Sequence, residues 1–316
     1  MHFDFADLRL FARIAEEESL SKGARKAFLS PAAASARLKA FEDQLGTRLF
    51  YRESRGLALT PAGERLLRHA RVIEQQFEHV RSEFAEFSKD SVGHLRIFAN
   101  TTAVTEFMPE VLARFLAQRT AVTVDLQERL TRDIIRGVLD GSADLGIISG
   151  PVNSDGLEVV HFSTDKLVLA TPLGHPLTRI GQLRFLDTLE YEHVSLHEGS
   201  TLYAFLTDVV QEQRKRFSVR IQLRSFEAMC RMIETGVGIG VLPLSAALRH
   251  RHTMKLSILE LRDPWAIRER AVIARELEGL PGCARALIDE LIDVAEAAGG
   301  CPEDSRILDQ FSPVSA

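Results

Sequence analysis

Apolar side chains at Leu8, Phe11, Ala12, Ile14 and Ala15 recur at three- and four-residue steps, the period of one face of an α-helix. Ser19 and Ser21 are placed to cap a second, short helix through Ala24, Ala27 and Phe28. Leu29-Ser30-Pro31 then puts an N-cap serine before a proline at the first position of a third helix. Its apolar face is Ala34, Leu38, Phe41 and Leu45, and Gly46 supplies the stop. Residues 49–52 and 56–60 alternate like a small hairpin with Glu53-Ser54-Arg55 at its tip. Two short helices around a tight turn, followed by a hairpin, have the layout of a winged helix-turn-helix.

After Gly63 neither Pro nor Gly occurs until Gly93, and Leu66, Ile73, Phe77, Val80, Phe84 and Phe87 step by seven, four, three, four and three. Such a heptad seam favours an intermolecular helix pair over a helix packed on its own domain, since it continues beyond any short helix. Beyond Gly93 the pattern changes. Strands over 95–99, 122–126 and 145–148 alternate with helices over 108–117 and 134–139, a βαβαβ arrangement. Apolar runs at 167–170, 194–196, 221–223, 229–234 and 238–242 predict a second half of like design, with 272–274 returning towards the first. The expectation is an α/β domain with largely parallel strands, in two lobes that enclose a hinged cleft.

Composition sharpens this reading. At 45% hydrophobic and 26% charged residues, the 316-residue chain has the make-up of a globular protein. Its three cysteines, Cys230, Cys283 and Cys301, are too few and too scattered for a disulfide framework, which fits a reducing cytoplasm. The opening residues lack a signal-peptide pattern, and the apolar run at 236–248 is too short and too broken to span a membrane. A net charge of −5 argues against a polyanion partner until its distribution is considered. Between residues 22 and 55, eight basic residues (Lys22, Arg25, Lys26, Arg37, Lys39, Arg48, Arg52, Arg55) stand against three acidic ones (Glu42, Asp43, Glu53). A local basic segment therefore sits on an otherwise acidic chain. The chain has no P-loop, His-Glu-x-x-His or Gly-x-Ser-x-Gly motif, and its ten histidines form no convincing ligand cluster, so neither catalytic nor metal-ligating residues are assigned and no cofactor is expected.

The positions Ala24 and Ala27, Leu29-Ser30-Pro31-Ala32-Ala33-Ala34-Ser35, Leu38, Phe41-Glu42, Leu45-Gly46, Leu49-Phe50, Leu59-Thr60 and Ala62-Gly63 resemble the winged helix-turn-helix of the LysR-type transcriptional regulators. Further on, Gly93-x-Leu95-Arg96-Ile97, Met108-Pro109 with Phe115, Gly141-x-x-Asp144-Leu145-Gly146-Ile147, His175-Pro176-Leu177 and Gly236-x-Gly238-Ile239-Gly240-x-Leu242-Pro243 resemble that family's effector-binding domain, itself similar to a periplasmic solute-binding protein. The resemblance implies a DNA-binding domain over 1–60, a dimerising linker helix over 61–90, a two-lobed effector-binding domain over 91–300 and a frayed tail over 301–316. It also implies a cytoplasmic homodimer or homotetramer that binds double-stranded DNA and a small-molecule effector, with the transcription machinery as a further partner and no membrane involved. A solute-binding protein, or an α/β enzyme with an appended helix-turn-helix, are the competing readings.

Ser30, Pro31, Ala33, Ser35, Arg37 and Lys39 are the expected DNA contacts of the third helix, with Arg52 and Arg55 of the wing reaching phosphate or the minor groove. One departure from the family matters. Pro31, Ala32 and Ala36 stand where Gln, Pro and Arg are usual, which leaves Ala32, Ala33 and Ala36 to read thymine methyls while Ser35 and Arg37 supply polar contacts. In the other domain a ligand belongs at the carboxyl ends of the strands. Asn100, Thr101, Thr102, Ser149 and Thr201 are the candidates there, with His197 and Phe226 beside them; hydroxyls and backbone N–H groups of this kind suit a small carboxylate. Thr101 and Thr102 read equally well as helix caps, and His197 as a loop histidine.

Overall fold

The computed structural model describes residues 3–53, 56–86, 93–151, 155–180 and 183–297. The chain forms two compact units, residues 1–90 with 140–142, and 91–139 with the residues from 143 onward.

In the first unit, α1 (Phe5–Glu17) starts at a capping box in which Asp4 and Asp7 each accept the other's backbone N–H at 2.9 Å. Ser19 caps α2 (Leu20–Lys26) and Ser30 caps α3 (Pro31–Leu45), accepting from Ala33 N at 3.2 Å. Gly46 at φ 66° ends α3, as its position in the sequence predicts. The three helices close on Leu8, Phe11, Ile14, Ala24, Ala34, Leu38 and Phe41. At Gly23 an added Cβ would lie 2.5 Å from the Ile14 backbone, so α1 and α2 meet this closely only because no side chain intervenes. Phe28, expected on the apolar face of the second helix, is instead a turn residue at φ 58° and 97% exposed. The helix stops at Lys26, and the partly buried Leu29 packs on the core instead.

The wing pairs β1 (Phe50–Glu53) with β2 (Gly56–Leu59) in antiparallel register, Phe50 opposite Leu59. Glu42 of α3 accepts the N–H groups of Leu49 and Phe50 at 2.7 and 3.3 Å, which fixes the wing's first strand to the recognition helix. Thr60 caps α4 (Pro61–Glu86) by accepting from Gly63 N at 3.0 Å. This long helix packs on α1 through Phe77 and Phe5, whose ring centroids lie 4.7 Å apart, and through Glu74, 3.7 and 3.8 Å from Arg9 and Arg13.

The second unit opens with the expected alternation: β3 (Gly93–Ala99), α5 (Met108–Gln118), β4 (Val122–Glu128), α6 (Thr131–Leu139) and β5 (Leu145–Ser149). Here β3 pairs in parallel with both β4 and β5. The rest of the sheet departs from the parallel expectation. β6 (Glu158–Pro172) is followed by β7 (His193–Leu196), α7 (Thr201–Glu212), β8 (Val219–Leu223), α8 (Phe226–Glu234), β9 (Gly240–Pro243), α9 (Leu244–Arg251), β10 (Leu256–Glu260), β11 (Ile267–Ala274) and α10 (Gly282–Ala297). Of these strands β7 and β8 pair in parallel; β11 pairs antiparallel with β5 and β6, and β6 with β9 and β10. β11 lies between β5 and β6 and runs opposite to both, so the antiparallel pairs at the centre of the sheet come from this returning strand.

β6 and β11 are longer than their apolar stretches predicted, because each runs through both lobes. Val160 and Phe162 of β6, with Val272 and Ala274 of β11, join the first lobe's core of Leu95, Ile97, Phe115 and Ile147. Val168 and Ala170 belong to the second lobe's core with Met229, Ile233 and Leu242. This pair of strands forms the crossing between the lobes.

Candidate DNA-binding and effector sites

The N-terminus of α3 presents an exposed face with few polar groups. Ser30, Pro31, Ala32, Ala33, Ala36 and Lys39 are exposed, while Ser35 is half-buried. Ser30 is committed as the N-cap. Arg37, expected to contact DNA, is engaged within the protein. Its Nε donates to Asp7 Oδ1 at 2.5 Å and its Nη2 to Asp4 Oδ1 at 2.8 Å, so it ties α3 to the capping box of α1. These carboxylates raise its pKa, the hydrogen bond it donates to Asp7 contributing most. Arg55 and the side chain of Arg52 lie outside the described residues.

In the second unit a cavity of about 420 Å³ opens beside the crossing strands, lined by Asn100, Thr101, Thr102, Ser149, Asp165, Leu167, Thr201, Leu202, Pro243, Arg268 and Arg270. Asn100 to Thr102 follow β3, Ser149 ends β5 and Thr201 begins α7, so different elements of both lobes converge on one space. Asn100 is buried and already bonded: Nδ2 donates to Ser149 Oγ at 3.1 Å, and Oδ1 accepts Ala103 N at 2.9 Å, at the start of a π-helical turn, Ala103–Phe107. Thr101 Oγ1 donates to Glu128 Oε1 at 2.6 Å. The Thr201 hydroxyl, by contrast, is buried without a hydrogen-bond partner. Such an atom loses its water and gains nothing in return unless a ligand supplies a partner.

Two sequence candidates stand elsewhere. Phe226 is 1% exposed in the second lobe's core, because α8 begins at that residue behind the Ser225 cap and turns the ring inward; it does not line the cavity. His197 does not line it either. Its Nδ1 accepts Gly199 N at 3.1 Å, and its Nε2 lies 3.9 Å from Glu128 Oε1, the oxygen that Thr101 engages.

The charged lining was missed by sequence reasoning. Arg270 of β11 is ion-paired with Asp165 of β6, and Ser245 Oγ donates to Asp165 Oδ2 at 2.7 Å. Arg268, two residues earlier on the same face of β11, donates from Nη2 to the Ser149 carbonyl at 2.8 Å, and its guanidinium carbon sits 4.4 Å from the Phe205 ring centroid. Burial pushes its pKa below the ordinary arginine value. The available signal was Arg268 and Arg270 at a two-residue step immediately before the apolar Ala271-Val272-Ile273-Ala274. Near the cavity, Arg249 of α9 donates to the buried Glu106 at 2.5 Å, an ion pair that joins the π-helical turn of the first lobe to the second; burial raises the Glu106 pKa against the pull of Arg249. Among the described residues no group of three or more His, Cys, Asp or Glu forms a metal site, and no helix is long and apolar enough to cross a membrane.

Residues 5–64 match the bacterial regulatory helix-turn-helix protein, lysR family, and residues 88–296 match the LysR substrate binding domain. The chain belongs to the LysR family. It is a LysR-type DNA-binding transcriptional regulator with an effector-binding domain. A probable RuBisCO transcriptional regulator of Porphyra purpurea is similar at 30% identity over 281 residues, 87% of this chain and 86% of that relative. Two solved LysR-type structures share the fold. Full-length OxyR from Pseudomonas aeruginosa superposes with a TM-score of 0.71 at 21% identity, over 93% of this chain and 94% of that one. CbnR in complex with its target DNA gives 0.60 at 19% identity, over 92% and 99%.

Proposed function

We propose that this LysR-family regulator is a cytoplasmic homodimer or homotetramer that presents paired recognition helices to double-stranded DNA and responds to a small carboxylate held between the two lobes of its effector domain. It acts on transcription through binding equilibria rather than catalysis, with the transcription machinery as a further partner. The observation that carries this reading is the convergence of Asn100, Thr101, Thr102, Ser149 and Thr201 on one cavity beside the crossing strands. A ligand bridging residues of both lobes binds their closed arrangement better than their open one, and that difference in affinity is what couples it to the DNA.

Pairing is assigned to α4, where Ile73, Phe77 and Val80 are exposed at four- and three-residue steps on a helix 26 residues long. On the DNA side, Pro31, Ala32, Ala33 and Ala36 offer methyl and methylene surface to thymine, with Ser35 and Lys39 as the polar contacts of α3 and Arg52 and Arg55 as those of the wing. Arg37 is left out of that set because it is engaged by Asp4 and Asp7.

The experiment is a footprint and bend-angle measurement of the full-length protein on its operator, with and without a carboxylate that stabilises it in a thermal-shift screen. A changed footprint or bend at saturation is expected. An identical footprint and bend would refute the coupling.

A further inference from the structure

We propose that the cavity is a site for a monoanion, specifically a small monocarboxylate with an apolar body, and that Arg268 is the residue that selects it. This rests on reading the cavity as the effector site.

The lining carries two guanidinium groups of unequal standing. Arg270 is neutralised within the protein by Asp165, whose Oδ2 is also held by Ser245. No carboxylate among the described residues forms an ion pair with Arg268, which has only the Ser149 carbonyl and the face of Phe205. A guanidinium that has lost much of its water without gaining an anion is an uncompensated charge, and its lowered pKa agrees with that state. With the other pair cancelled, the lining offers one net positive charge. One carboxylate balances it, whereas a dicarboxylate or a phosphate dianion would bring a second negative charge next to Asp165 with nothing to meet it.

The neighbouring groups fit a carboxylate joined to an organic body. Thr201 Oγ1 is buried and unpartnered, and an acceptor oxygen there would satisfy it. Leu167, Leu202 and Pro243 supply apolar wall on the same cavity. The backbone also makes room for the cation: Gly150 has φ 91°, and a Cβ there would lie 2.5 Å from the Arg268 guanidinium.

The test uses the full-length protein, buffered about one and a half pH units above neutrality so that phosphate is the dianion, in thermal-shift and calorimetric titrations with benzoate and isobutyrate, their neutral amides benzamide and isobutyramide, and succinate and inorganic phosphate. The two monocarboxylates are expected to raise the melting temperature and the amides and dianions to leave it unchanged. Arg268→Met should abolish the response. Arg268→Lys, which keeps the charge but loses the planar fork, should weaken it about tenfold. Without ligand, Arg268→Met should melt no lower than the parent, since it removes an unpaired charge and keeps the apolar stem.

Amides that match the acids, a carboxylate response that survives in Arg268→Met, or no response to either monocarboxylate each overturns the proposal. Thr201→Trp, which fills the cavity, separates this failure from failure of the site itself. Amides that bind the parent but not Thr201→Trp would leave the effector cavity standing and remove its charge selectivity. Ligands that bind both Thr201→Trp and Arg268→Met as well as the parent would place binding elsewhere.

Discussion

Arg37 of α3 and Asp7 of α1 are joined by a hydrogen bond of 2.5 Å across thirty residues of sequence, and this contact ties the third helix to the first. The arginine that the sequence assigns to polar DNA contact is held within the protein between two helices. Arg37→Gln is therefore expected to lower stability by about 1 kcal/mol, the partly exposed pair being screened by water, and to leave the salt dependence of operator affinity unaltered. Lys39→Gln should do the opposite: little change in stability, and a log–log salt slope reduced by about 1. Urea titration and filter binding across a salt series distinguish the two variants, and a reduced slope in Arg37→Gln would show that this side chain does meet phosphate.

Phe28 combines a left-handed backbone with 97% exposure, so its ring contributes almost no burial to offset the strain of φ 58°. Phe28→Gly is expected to stabilise the folded protein by about 1 kcal/mol, read as a higher urea midpoint at an unchanged slope. A lower midpoint would show that the ring supports the turn.

Val80 lies in the middle of the exposed seam of α4. Val80→Asp places a charge in the proposed helix pair, and sedimentation velocity should show a shift to monomer together with loss of tight operator binding. An oligomer of unchanged mass would assign pairing to another surface.

His193 is 1% exposed, its Nδ1 lying 2.9 Å from the Tyr191 carbonyl and its Nε2 3.1 Å from Thr188 Oγ1. Burial lowers its pKa from 6.5 to about 4. Between those values the unfolded chain binds a proton that the folded chain refuses. The stabilisation due to neutral burial is thus complete above pH 6.5 and is lost as pH falls towards 4, at about 1.4 kcal/mol per unit. Urea midpoints measured down through this interval should fall, and His193→Gln should flatten the decline. A wild-type midpoint that stays level over the same interval would contradict this burial effect.

The sequence by itself determined the features that depend on neighbours within one or two turns. Ser19, Ser30, Pro31 and Gly46 mark helix ends through contacts three or four residues away, and the period of Leu8, Phe11, Ala12 and Ile14 reports a buried face whatever covers it. The hydroxyl-bearing residues that follow β3 and end β5 could be assigned to a cleft for the same reason, since strand ends are local signals.

Only the tertiary structure decided which partners those residues meet. The first half of β6, where Val159, Val160 and Phe162 are mixed with polar residues, and the charged first half of β11 have no long apolar run to announce them, because a strand that crosses between lobes is part core and part cavity wall. The sequence could not show that Phe226 packs in the second lobe's core or that Arg37 meets the Asp4–Asp7 capping box, because folding brings these partners to them. The same holds for the arginines of the cavity. Asp165 neutralises Arg270 from more than a hundred positions away, and Arg268, two residues earlier, lines the cavity without an ion pair to any carboxylate among the described residues. A strand's period places two side chains on one face, but only three-dimensional packing decides which of them finds a counter-charge.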